Sequence, residues 1–105
     1  MTPSEIVAAC AHVFRTDAQT LRSAASARTI GQGRAAAVFV LREYRQSSKL
    51  TFDQIARLLN RETQSIWYWW IKARDLRARS PRFRLATDAL LVSACYAAPF
   101  DENAA

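Results

Sequence analysis

The sequence predicts an all-α domain: a compact bundle of about six helices containing a helix-turn-helix, which follows a basic loop and a long helix. Three observations predict it. Glycine and proline are scarce, two and three in 105 residues, while alanine is abundant, and that balance favours helices over a turn-rich β architecture. Half of the residues are hydrophobic, enough for one core and one domain at this length. Apolar residues recur at helical spacing between capping and turn residues.

Each element has its own signal. Thr2 or Ser4 caps a first helix over residues 3–14, with Ile6, Val7, Cys10, Val13 and Phe14 as its apolar stripe. Thr16 or Asp17 caps a short second helix over 18–24, whose Leu21 faces inward. The segment 23–33, SAASARTIGQG, is small, polar and basic and reads as a loop carrying Arg28. Gly31, Gln32 and Gly33 lack the Lys-Ser/Thr of a phosphate loop, so the glycines ease the start of a helix close to a neighbouring backbone. A third helix runs from near Gln32 to about Gln46, with Ala36, Val38, Phe39 and Leu41 in the core and Arg34, Arg42 and Arg45 on its other face. Ser47, Ser48 and Lys49 turn the chain. Thr51 caps a fourth helix, Phe52–Leu59, with Asp53 and Gln54 in its first turn. Asn60 caps a fifth, which runs to Arg79. Ser80 and Pro81 form a stop-and-start signal, serine as N-cap and proline at the first helical position. A sixth helix follows to about Ala97, its apolar set being Phe83, Leu85, Leu90, Leu91, Ala94 and Cys95. The domain thus spans 1–98, and 99–105 form a flexible tail.

The most informative stretch is 51–75, TFDQIARLLNRETQSIWYWWIKARD. Ala56 is the small residue that a close helix crossing needs, and Ile66 and Trp69 point back at the preceding helix. Between them, 60–62 make a short polar turn. Arg61, Glu62, Thr63, Gln64, Trp67 and Tyr68 then face outward at the N-terminal end of the second helix, where such motifs touch base edges.

Charge agrees with that reading. The net charge is +6, from thirteen arginines and two lysines against nine acids. All fifteen basic residues lie between Arg15 and Arg84, with only five acids among them, so the middle of the chain carries about +10. A basic middle favours a polyanion, since neutralising phosphates releases counterions; the competing reading is a solvated, arginine-rich surface. Lys72, Arg74, Arg77, Arg79, Arg82 and Arg84 divide the same way, between extra phosphate contacts and a solvated face with an Asp75–Arg79 pair at i, i+4.

Other chemistries find little support. Cys10 and Cys95 read as two free, buried thiols. His12 is the one histidine, and its spacing from Cys10 puts the two on different helix faces. No metal set, nucleophile–base pair or cofactor motif emerges, so the expectation is a protein without cofactor, not an enzyme. No stretch approaches a membrane span and no signal peptide opens the sequence, which suggests a cytoplasmic, nucleoid-associated protein.

Trp67, Tyr68, Trp69 and Trp70 span one helical turn. Trp69 is in phase with Ile66 and Ala73 and belongs to the core; Trp70 is half-buried. Trp67 and Tyr68 are in phase with Thr63 and Gln64 and face outward. Either the sixth or the N-terminal helix covers that pair, or it is free for DNA contact or as a protein anchor.

The order of these segments resembles the C-terminal DNA-binding domain of the bacterial replication initiator DnaA, from Ile6 to about Leu91. IVAACAHVFRTDAQTLRS is similar to that domain's opening helix and turn, ARTIGQGRAAAVFVLREY to its basic loop and long helix, and LTFDQIARLLNRETQSI to its signature segment. The resemblance implies that Arg28 enters the minor groove, where arginine reads width and A·T content. It implies that Arg34 and Arg42 clamp phosphate and that Arg61 sits on the DNA backbone; Lys49, in the turn, is a further candidate DNA contact. Glu62, Thr63, Gln64 and Ser65 then occupy the family's Asp-His-Thr-Thr positions. Leu59 and Asn60 replace its Gly-Gly, and three extra residues lengthen the turn around 46–50. Glutamate can accept from cytosine N4, glutamine can pair with adenine and threonine can touch a thymine methyl, but no site sequence follows from that. The initiator's ATPase domain has no counterpart in these residues, so the implied role is a small replication or transcription regulator that binds double-stranded DNA. The alternative is an adaptor or inhibitor that reuses the fold and docks a protein partner, or a second copy, through Trp67 and Tyr68.

Overall fold

The computed structural model describes residues 1–44 and 50–103, with side chains through Cys95. All regular structure among them is helical: α1 (Pro3–Val13), α2 (Ala18–Leu21), α3 (Arg28–Glu43), α4 (Phe52–Leu59), α5 (Thr63–Arg79) and α6 (Pro81–Asn103). The all-α bundle of about six helices is therefore as expected.

α3 forms the centre because its sequence is small or apolar on every side. Residues 33–41 are all buried, and a helix buried all round must be packed on all sides. α1 and α5 make the broadest contacts with it, and α6 closes the bundle against α1, α3 and α5. Ile6, Cys10, Leu21, Leu41, Ile55, Leu59 and Ile66 meet in one continuous core. Burying a side chain of that size contributes about 1.5–3 kcal/mol, so these positions hold the helices together far more than helix propensity does.

Local caps define the ends. Thr2 and Glu5 form a capping box on α1: Glu5 N–H donates to Thr2 Oγ1 at 3.2 Å and Thr2 N–H to Glu5 Oε1 at 2.7 Å. Thr51 and Gln54 repeat it on α4 at 3.1 and 2.8 Å. Asp17 caps α2, accepting from Thr20 N–H at 2.8 Å. Ser80 caps α6 as its sequence foretells, accepting from Phe83 N–H at 3.2 Å. Arg77 then binds α5 to α6. Its Nη1 donates to Thr87 Oγ1 at 2.6 Å and pairs with Asp88 at 2.8 Å, while the guanidinium lies 4.3 Å from the Phe39 ring centroid.

Several boundaries differ from the sequence expectation. α2 ends at Leu21 rather than 24, and α3 begins at Arg28 rather than near Gln32. Both glycines are therefore helical, and side chains explain them better than any neighbouring backbone. A Cβ on Gly31 would lie 3.5 Å from the Trp69 ring, and one on Gly33 would lie 3.0 Å from Leu21 Cδ2. At Gly33 that packing overrides the weak helix propensity of glycine, while at Gly31 the contact is an ordinary one. α3 ends at Glu43, short of 46, and the predicted turn at 46–50 falls largely outside the described residues. Asn60 does not cap α5. It ends α4 in the left-handed region (φ 54°, ψ 47°), and Arg61 N–H returns to the Ala56 carbonyl at 2.9 Å. Leu85 is 65% exposed rather than core, and α6 continues past Ala97 to Asn103.

Cys10 and Cys95 are free thiols, Cys10 fully buried and Cys95 half-buried. No described helix is long and apolar enough to cross a membrane.

Candidate nucleic-acid interface

α4 and α5 are joined by the three-residue turn 60–62, the order expected of a helix-turn-helix. Ala56 is buried in the middle of α4, Ile66 is fully buried on α5, and Gln64 in the first turn of α5 is left exposed. Glu62 is the N-cap of α5 but forms no side-chain cap, so the first N–H groups of the helix stay open. Glu62 and Gln64 are exposed; Thr63 and Ser65 are half-buried. Thr63 Oγ1 donates to Asp53 Oδ1 at 2.6 Å, tying the start of α5 to the start of α4. Asp53 was overlooked at the sequence level; its place in the first turn of α4 marks it only as a capping acid. Together Asp53 and Glu62 set two carboxylates beside the positive end of α5, where they are favourable for the helix and repel phosphate.

The arginines sort differently from the expectation. Arg34 is 4% exposed, and its Nε and Nη2 donate to the carbonyls of Leu21 at 2.9 Å, Ser23 at 2.6 Å and Thr20 at 3.3 Å. It closes the end of α2 and stands out of reach of a phosphate. Arg61 Nη2 donates to the same Ser23 carbonyl, and its Nε is buried without a partner. Burial and the neighbouring Arg61 charge both push the Arg34 pKa below the usual arginine value. Arg42 Nη1 donates to the Leu50 carbonyl at 2.7 Å, with its guanidinium 4.6 Å from the Phe52 ring centroid. The cause is common to all three: helix ends and irregular segments leave carbonyls unpaired, and a guanidinium satisfies several at once. Arg28, by contrast, is exposed at the first position of α3. Lys49 lies outside the described residues.

The aromatic run divides as its phase predicts except at Trp69, expected in the core and found half-buried. Trp69 and Trp70 are half-buried, Trp70 stacking on Phe39 at 5.8 Å between centroids. Trp67 and Tyr68 are 51% and 57% exposed, so neither α6 nor α1 covers them. Trp67 leans on Phe52 at 4.4 Å, and Tyr68 meets Trp69 edge-on at 4.9 Å.

Two concavities meet at Tyr68 and Trp69. One, of about 340 Å³, is lined by residues 24–26 with Arg34, Arg61 and Ser65. The other, of about 510 Å³, runs between the start of α3 and the outer side of α5, past Arg28, Gln32, Lys72 and Arg79. Arg28 and the first two turns of α5 therefore border one surface. Lys72 joins that surface too; its i, i+4 spacing from Tyr68 was the available signal. Among the described residues no group of three His, Cys, Asp or Glu side chains could hold a metal ion.

No protein-family model matches this chain, and no curated protein matches it either.

Proposed function

We propose that this protein binds double-stranded DNA, presenting the first turn of α5 to the major groove and Arg28 to the adjoining minor groove, in the manner of the initiator-type DNA-binding domain its segments resemble. The observation that carries the reading is the shared surface. Glu62 and Gln64 stand exposed at the open N-terminus of α5, and Arg28 lines a groove with Tyr68, which follows in the second turn of the same helix. Glu62 suits cytosine N4 and Gln64 suits adenine. The carboxylates at that helix end favour base amino groups over phosphates. With Arg34 withdrawn into the fold, nonspecific affinity rests on Arg28 and on the exposed and half-exposed cations around it. The role this supports is a small replication or transcription regulator.

Fluorescence anisotropy with random duplex and with a duplex carrying the initiator's box, at low and physiological salt, tests the reading. Salt-steep binding to either duplex supports it, and a preference for the box ties it to the initiator's own site. Arg28→Ala lowers discrimination between duplexes; no binding at low salt sinks the proposal.

A second reading has its own support. Trp67, Tyr68 and Ile71 are exposed together on α5, Ile71 by 62%, and exposed aromatics of this kind anchor protein partners. Gel filtration at rising concentration, with Trp67→Ser as control, tests self-association through that face.

A further inference from the structure

We propose that the groove between the start of α3 and the outer side of α5 is a binding site for single-stranded nucleic acid, holding one unstacked base against Tyr68 with its flanking phosphates on Arg28 and Lys72. The proposal goes beyond the duplex reading: it shares Arg28 and Tyr68 with that surface and adds Gln32 and Lys72.

The groove has the composition such a ligand needs. Tyr68 projects from it, held at a fixed angle by its edge contact with Trp69. Aromatic faces take any base by stacking. Gln32, half-buried on the floor, offers an amide with both donor and acceptor for a base edge. Arg28 and Lys72 stand on opposite walls, one from each helix, and among the described residues no carboxylate lines the groove. Arg79, at the far end, is already paired with Asp75 at 2.6 Å, so the free cations are those nearest Tyr68. Gly31 lines the groove beside Trp69, and a side chain there would take up space against that ring. A concavity of about 510 Å³ between two packed helices has the volume to take one nucleotide.

The test uses the intact chain and labelled (dT)20, an abasic strand of the same length and a hairpin duplex, all by anisotropy at low salt. The expected result is binding of (dT)20 about ten-fold tighter than of the abasic strand, the increment of a stacked base. Gly31→Leu, which fills the floor, and Gln32→Ala, which removes the base-edge amide, should each weaken (dT)20 at least five-fold and change duplex affinity less than two-fold. Gln32→Ala suits a helix and keeps the test intact should Gly31→Leu perturb folding. Equal binding of (dT)20 and the abasic strand overturns the base site, as does equal loss of single-strand and duplex binding in both variants. Loss of duplex binding alone, in the wild type, would count against the proposed function and leave this site standing.

Discussion

Arg34 Nε donates to the carbonyl of Leu21 at 2.9 Å, and that bond closes a helix rather than preparing a phosphate site. With the further bonds to Ser23 and Thr20, one guanidinium satisfies three carbonyls at the end of α2. Replacing it with an apolar chain of similar length orphans the Leu21 carbonyl, while Ser23 keeps its bond from Arg61 and Thr20 keeps those from Ser23. Arg34→Met is expected to lower unfolding stability by about 2–3 kcal/mol, read from urea denaturation. The folded variant should bind duplex DNA with an unchanged salt slope. A slope smaller by about one would instead place Arg34 on a phosphate.

The two glycines of α3 should respond in opposite directions to the same change. Neither has a positive φ, so alanine is conformationally allowed at both. At Gly31 the new methyl meets Trp69 at ordinary contact distance, and Gly31→Ala should gain about 0.5–1 kcal/mol from helix propensity. At Gly33 it meets Leu21 Cδ2 at 3.0 Å in a full core, and Gly33→Ala should be neutral or destabilising. Thermal melts of the pair decide it; equal gains would mean that Leu21 yields freely.

Arg15 holds φ at 60° after α1, with Thr16 N–H reaching back to the Ala11 carbonyl at 2.9 Å. That is the place where glycine is preferred after a helix. Arg15→Gly should stabilise the fold by about 0.5–1 kcal/mol, and a loss of stability in the melt would show that the arginine side chain makes a contribution of its own.

Burial pushes the Cys10 thiol pKa up to about 12, from an ordinary value of 9.0. The folded state therefore keeps this proton over a range in which the unfolded chain has lost it. Stability from this group is complete below pH 9 and falls as pH rises from there toward 12, by at most about 1.4 kcal/mol per unit. The Tyr44 pKa is also raised, chiefly by burial, and acts in the same direction. Urea midpoints from pH 8 to 10.5 should decline in the wild type and decline less in Cys10→Ala; parallel curves would remove Cys10 as the cause.

Asp53 and Glu62 flank the open end of α5, and both oppose a phosphate there. Asp53→Asn keeps a partner for Thr63 and removes a charge. It should tighten binding to every duplex by about three-fold at low salt, with sequence preference unchanged. Glu62→Gln should instead alter the preference, if that side chain reads a base edge. Competition between unrelated duplexes distinguishes the two effects.

Much of this fold was legible from residue order because the signals are local. Thr51 with Gln54, Ser80 with Pro81, and the phase of Trp67 and Tyr68 each act within one helical turn, so periodicity and capping chemistry were enough to place them. The misplaced features depend on residues far apart in the chain. Nothing near Gly31 announces that Trp69 will lie against it. Nothing near Arg34 announces that the end of α2 will fold back into reach. Asn60 satisfies the local rules for beginning a helix as well as for ending one, and only the course of the backbone chose.

The sequence by itself determined the class, the number of helices and the surface position of the α5 N-terminus, because apolar phase and caps are set by neighbours a few residues away. Tertiary structure decided how each arginine is engaged. Arg34, Arg42 and Arg61 were drawn onto protein carbonyls by helices that composition could not bring together, while Arg28 was left at the surface. A guanidinium binds whichever unpaired oxygen the fold delivers to it, and that delivery is a property of the packed molecule.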